Sequence, residues 1–138
     1  SGGGQGGVAQ GLGQVEVPGL PGREGWLVRN ALLDRFGQTG APRYRLDLVL
    51  DDELEGLGLL TDDTIGRERR TLRARYQLVD TTSGTVLVDA TAGADAGIDV
   101  VSSEYATIAA EQTALENLAQ EVADQIVLRL ARSLREQQ

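Results

Sequence analysis

The sequence predicts an α+β fold: a two-layer sandwich in which a small, mostly antiparallel or mixed sheet of about four strands carries two helices on one face. Three observations predict it. Residues 43–51 and 69–80 alternate apolar and polar side chains, so each strand has one face to bury and one to wet. Residues 103–135 repeat apolar residues at spacings of three, four or seven, the period of a helix. A chain of 138 residues, 41% hydrophobic and 25% charged, can build one core but not two.

In chain order, residues 1–13 contain seven glycines and little side chain to bury, which predicts a flexible tether, with a single domain over 14–138. Val15 and Val17 alternate with Gln14 and Glu16 in a short strand ending at Pro18. Pro21 opens and Gly37 closes a helix whose apolar residues, Trp26, Leu27, Val28, Ala31, Leu32, Leu33 and Phe36, nearly encircle it. One sheet covers only one side of such a helix, so the surplus goes to an interlayer core or to a partner.

The next strand turns Tyr44, Leu46, Leu48 and Leu50 inward. Residues 53–66 are looser, with glycines at bends and Leu57 to Leu60 extending the neighbouring strand in part. Leu72, Ala74, Tyr76 and Leu78 face inward on the following strand, Thr81 to Gly84 is a turn, and Thr85 to Thr91 returns as a hairpin arm. Ala92 to Gly97 reads as a loop or a fraying strand. From a cap at Ser103, the last helix runs to about Arg135 with Ile108, Leu115, Leu118, Val122, Ile126, Leu130 and Leu134 on one face and Tyr105 covering the sheet. At roughly 48 Å it would overhang a ten-residue strand of roughly 33 Å.

Composition removes most chemistry. Histidine and cysteine are absent, which takes away the usual general base, the thiol nucleophile, disulfides and most transition-metal sites. The net charge of −8 argues against a nucleic-acid binder held by its overall field. No apolar run is long enough to span a bilayer. Asp51-Asp52-Glu53 and Asp62-Asp63 lack calcium-loop spacing and read as solvated turn residues, so no metal and no cofactor is expected.

One constellation stands out. All 13 basic residues are arginine, and five of them fall within residues 67–75. Arg67, Arg69, Arg73 and Arg75 share strand parity and point to the helix-free side, as does Arg45. Guanidinium forks grip phosphate or carboxylate, so Arg45, Arg69, Arg73 and Arg75 form a candidate anion site. The alternative is a solvated face neutralised by acids on neighbouring strands.

The segments REGWLVRNAL (23–32), PRYRLDLVL (42–50), TLRARYQLVDTTSGTVL (71–87) and SSEYATIAAEQTALENLAQEVADQIVLRLA (102–131) resemble, in order and spacing, the lipopolysaccharide-assembly lipoprotein LptE family in its alphaproteobacterial form. The resemblance implies a small sheet with two helices on one side. It also implies a non-enzymatic protein at the periplasmic face of the outer membrane, attached through a lipidated cysteine upstream of Ser1. As partners it implies the β-barrel LptD, which such a protein plugs and helps to assemble, and lipopolysaccharide. Trp26, Leu27 and Leu33 become candidate barrel contacts. Family basic positions fall at best on the Arg73 and Arg75 strand, and the next strand offers Asp89 in place of a base. An auxiliary lipoprotein of an ABC-type lipid transporter is the alternative function; a hydrolase working with carboxylates alone is weaker still.

Overall fold

The computed structural model describes residues 11–37, 40–59 and 66–136. Residues 1–10 of the expected tether, Leu60 and the Asp62-Asp63 pair lie outside them. Gly11–Gly13 close a helical turn, with Leu12 packed against the core.

Strand β1 (Val15–Glu16) precedes helix α1 (Gly22–Phe36), strands β2 (Tyr44–Leu59), β3 (Gly66–Asp80) and β4 (Val86–Val100), and helix α2 (Glu104–Glu136). The sheet order is β1-β2-β3-β4. β1 runs parallel to β2, with Val15 beside Tyr44, and β2, β3 and β4 are antiparallel neighbours. Both helices lie on one side, as the one-sided alternation requires.

The register assembles the core. Leu46, Leu78 and Val88 line up across the sheet, as do Leu48, Tyr76 and Ala90, then Leu50, Ala74 and Ala92. Over them pack Val28, Ala31, Leu32 and Phe36 of α1 and Leu115, Leu118, Val122, Ile126 and Leu130 of α2, all buried. α1 ends where expected: Gly37 is left-handed at φ 56°, and its N–H donates to the Leu33 carbonyl at 3.2 Å. Arg35 then ties α1 to α2, donating to Asp124 and to Gln120, each at 2.7 Å.

Four expectations are corrected. Ala92 to Gly97 is neither loop nor fray but the middle of β4, paired throughout with β3. Its Ala90, Ala92, Ala94 and Ala96 face α2, where the large apolar side chains of the helix fill the space that they leave. The looser stretch after Glu53 continues β2 to Leu59, bent by a bulge between Gly56 and Gly58 where Gly58 takes φ 99°. The expected overhang of α2 vanishes for the same reason: strands of 15 or 16 residues reach about 50 Å, the length of the 33-residue helix. Finally, Tyr105 does not cover the sheet but is 85% exposed, and Ile108 is also exposed. The sheet beneath the first turns of α2 presents Glu68 and Arg70, so buried apolar contact starts only at Ala114.

Candidate functional site

β3 is the central strand of the three long ones, and its outward side chains make a basic lane down the helix-free face: Arg67, Arg69, Arg73 and Arg75. β2 and β4 flank that lane with acids. Asp51 lies opposite Arg73, Glu55 opposite Arg69 and Asp99 opposite Arg67. The acids 51–53, expected in a turn, lie inside β2, with Asp51 and Glu53 on this outer face and Asp52 on the inner one.

Most of the lane is neutralised in place. Arg67 pairs with Asp99 at 3.6 Å, Arg69 with Asp95 at 3.4 Å and Arg75 with Asp89 at 3.1 Å. Gln77 also donates to Asp89 at 3.1 Å. Hydrogen bonds from Arg75 and then from Gln77 hold the Asp89 carboxyl below the ordinary carboxylate range. Arg45 is taken up by Asp47 on its own strand at 2.9 Å. Each of these is an exposed pair of small net worth.

Arg73 differs. Among the described residues it makes no ion pair or hydrogen bond, although Asp51 sits across from it. Opposite it on the other side is Gly93, where an added Cβ would meet the Arg73 Cγ at 3.4 Å, so the glycine gives the arginine stem room to lie across β4. Arg69, Thr71, Arg73, Gly93, Ala94 and Asp95 line an open hollow of about 420 Å³. Chemically this is one uncommitted guanidinium with a second beside it, able to accept a phosphate in the place of a missing carboxylate. The structure thus brings Arg69, Arg73 and Arg75 together on one strand and leaves Arg45 on β2, bonded to Asp47.

The three candidate contacts on α1 separate. Trp26 is 62% exposed, whereas Leu27 and Leu33 are partly buried and pack against the core. The apolar surplus of this helix is therefore concentrated in one large exposed ring.

Sequence reasoning missed a second, inward cluster under α2. Arg70 lies on the helix-facing side and donates from Nε and Nη2 to both Asp52 oxygens, at 3.0 and 2.8 Å, and from Nη1 to the Glu111 carbonyl at 2.9 Å. Beside it, the Glu68 carboxyl is pushed up by hydrogen bonding to Glu111, then by burial and by repulsion from the same neighbour, with Arg70 opposing. Glu68 Oε1 is shielded from solvent and finds no donor. The parity signal was available, since Arg70 and Asp52 share phase with Leu72 and Leu50.

A pH dependence follows. A carboxyl whose folded pKa is raised keeps its proton in the folded state while the unfolded chain releases it, so it contributes stability below its ordinary range that is lost as pH rises through the folded value. Glu68→Gln should flatten the fall of the melting temperature between weakly acidic and neutral pH and raise the melting temperature at neutral pH, as thermal denaturation followed by circular dichroism would show. An unchanged pH slope would contradict a raised Glu68 carboxyl.

Among the described residues no group of carboxylates is placed to hold a metal ion, and no helix is long and apolar enough to cross a membrane.

Comparison with known proteins completes the description. The family model described as "LptE: Lipopolysaccharide-assembly" matches residues 12–130. A solved structure of a candidate lipoprotein from Caulobacter crescentus CB15 is similar at 28% identity, covering 94% of this chain and 97% of that one, with a TM-score of 0.76. A minor lipoprotein from Acinetobacter baumannii shares the fold at 18% identity, 83% and 91% coverage and a TM-score of 0.55. No curated protein matches the chain.

Proposed function

The chain belongs to the LptE lipopolysaccharide-assembly family, and from that premise we propose that it serves the outer-membrane lipopolysaccharide machinery as a non-enzymatic lipoprotein. It plugs the β-barrel LptD, assists the assembly of that barrel and contacts the phosphates of lipopolysaccharide through the bare face of its sheet. The observation that carries this reading is the extent of the family match: it takes in every strand, α1 and most of α2. It also favours this function over that of an accessory to an ABC-type lipid transporter. Lipid anchoring at the periplasmic face of the outer membrane accords with the similar Caulobacter chain, itself a candidate lipoprotein.

Two surfaces divide the work. Arg73, flanked by Arg69 and Arg75, meets anionic headgroup; Trp26 meets the barrel wall. A large aromatic left 62% exposed on a short helix supports the second assignment, because such rings anchor protein interfaces.

Coexpression with the LptD barrel of the same organism tests the reading. The two chains should copurify, the barrel should fold poorly alone, and Trp26→Asp should weaken the complex by about tenfold or more without lowering the stability of the isolated domain. Normal barrel folding without this chain, together with a failure to copurify, would overturn it.

A further inference from the structure

β4 is an edge strand, and among the described residues its free edge is bonded at Gly93 alone. At Gly93 both backbone groups point away from β3: the N–H donates to Gln125 Oε1 at 3.1 Å and the carbonyl accepts from Gln125 Nε2 at 2.8 Å. A side-chain amide here does what a neighbouring strand's peptide group would do. Backbone direction alternates along an antiparallel strand, and the β3–β4 register is regular from Asp89 to Val100. The N–H and C=O groups of Asp95, Gly97 and Asp99 therefore face the same way as those of Gly93, and among the described residues nothing bonds them. This stretch offers two backbone groups at every second residue over about 16 Å, a template for an added strand.

Charge says what kind of strand fits. The outer face is laid out in lanes: acids on β2 (Asp47, Asp51, Glu53), arginines on β3, acids again on β4 (Asp89, Asp95, Asp99). Opposite charges placed directly across a strand pair stabilise it and like charges destabilise it, so the next lane in register is basic. Steric room lies on the other side of the same edge. Beyond Gly97, Ile98 and Asp99, α2 presents only Ala109, Ala110, Thr113 and Ala114 around an open hollow of about 470 Å³, wide enough for the inward side chains of an added strand.

We propose that the Asp95–Asp99 edge of β4 accepts an extended segment of another protein that carries arginine or lysine at alternate positions, joining the sheet as a further strand. A second copy of this chain does not fit. Pairing β4 with β4 would set aspartates against aspartates, and pairing it with the free edge of β2 would set them against Asp51 and Glu53. The proposal does not rest on lipopolysaccharide binding, because strand addition uses the backbone groups of the edge; Asp95 alone is shared with the Arg73 hollow, so Gly97→Pro is the variant that separates the two.

The test uses the full chain and a short synthetic peptide alternating arginine and valine. The peptide should bind saturably, protect the amides of Asp95, Gly97 and Asp99 from hydrogen exchange, and bind more weakly as salt is raised. Gly97→Pro should weaken it by about tenfold or more; proline removes an N–H that β3 does not use and is tolerated on an outward-facing edge. Asp95→Asn with Asp99→Asn should also weaken it, and a peptide alternating glutamate and valine should not bind. Binding that leaves the three amides unprotected, equal binding by Gly97→Pro, equal binding of the glutamate peptide, or self-association of the chain through this edge would each overturn the proposal. Should Gly97→Pro not fold, the amide protection in the unaltered chain and the paired asparagine variant decide alone.

Discussion

Arg70→Ala is expected to destabilise the domain by about 3 kcal/mol, a fall in melting temperature of roughly 10 °C. The reason is what remains behind. Arg70 and Asp52 form a two-pronged pair whose side chains are each only 14% exposed, and the same guanidinium reaches the Glu111 carbonyl. Its hydrogen bond to Asp52 is the main influence holding Arg70 charged. Truncation leaves the Asp52 carboxylate without its guanidinium partner at a place where the side chain is only 14% exposed, so the cost is that of stranded charge as well as of a lost bond. Replacing both partners, as in Asp52→Leu with Arg70→Leu, removes the stranded charge along with the pair and should recover most of the loss. Denaturant titration of the two single variants and the double variant measures the coupling. A loss below about 1 kcal/mol in Arg70→Ala would show that water reaches the pair and that it behaves as a surface contact.

That pair marks the boundary of what the amino-acid pattern discloses. Tyr44 to Leu50 and Leu72 to Leu78 alternate large apolar with polar residues, and Leu115 to Leu134 keep helical spacing, so the two-layer architecture is legible from contrast alone. β4 lacks that contrast. Alanine and glycine have weak strand preference, and Ala90 to Gly97 form a strand because β3 offers a regular partner and α2 needs small residues beneath its leucines. Gly56 and Gly58 hid the far end of β2 in a similar way, since a bulge shifts the alternation by one residue.

The candidate site was legible as a lane but not in its electrostatics. Which arginines are already occupied depends on register: Asp89, Asp95 and Asp99 are remote from Arg75, Arg69 and Arg67 along the chain and meet them only across β3 and β4. Arg70, counted with its neighbours by proximity, belongs to the opposite face by parity. Trp26, Leu27 and Leu33 are equally apolar on a helical wheel, and only packing separates the exposed ring from the two leucines.

The second large effect concerns the arginine lane. Arg75, Arg69 and Arg67 each have an aspartate nearby, so a phosphate arriving there must share or displace a carboxylate. Arg73, unpaired among the described residues, gives up nothing. A charge-assisted hydrogen bond is worth roughly 1.5–3 kcal/mol, so Arg73→Gln should weaken binding of lipopolysaccharide by about tenfold or more. Arg45→Gln, which removes a guanidinium already bonded to Asp47, should have a smaller effect. Both side chains stand outside the core, so stability should stay within about 0.5 kcal/mol of the unaltered chain.

The most direct test of the sheet face as the lipid-facing surface is the affinity of the Arg73→Gln domain for lipid A with and without its phosphates. A loss of about tenfold is expected with phosphorylated lipid A and almost none with the dephosphorylated form; equal affinity of the altered and unaltered chains for phosphorylated lipid A would rule out Arg73 as a phosphate contact.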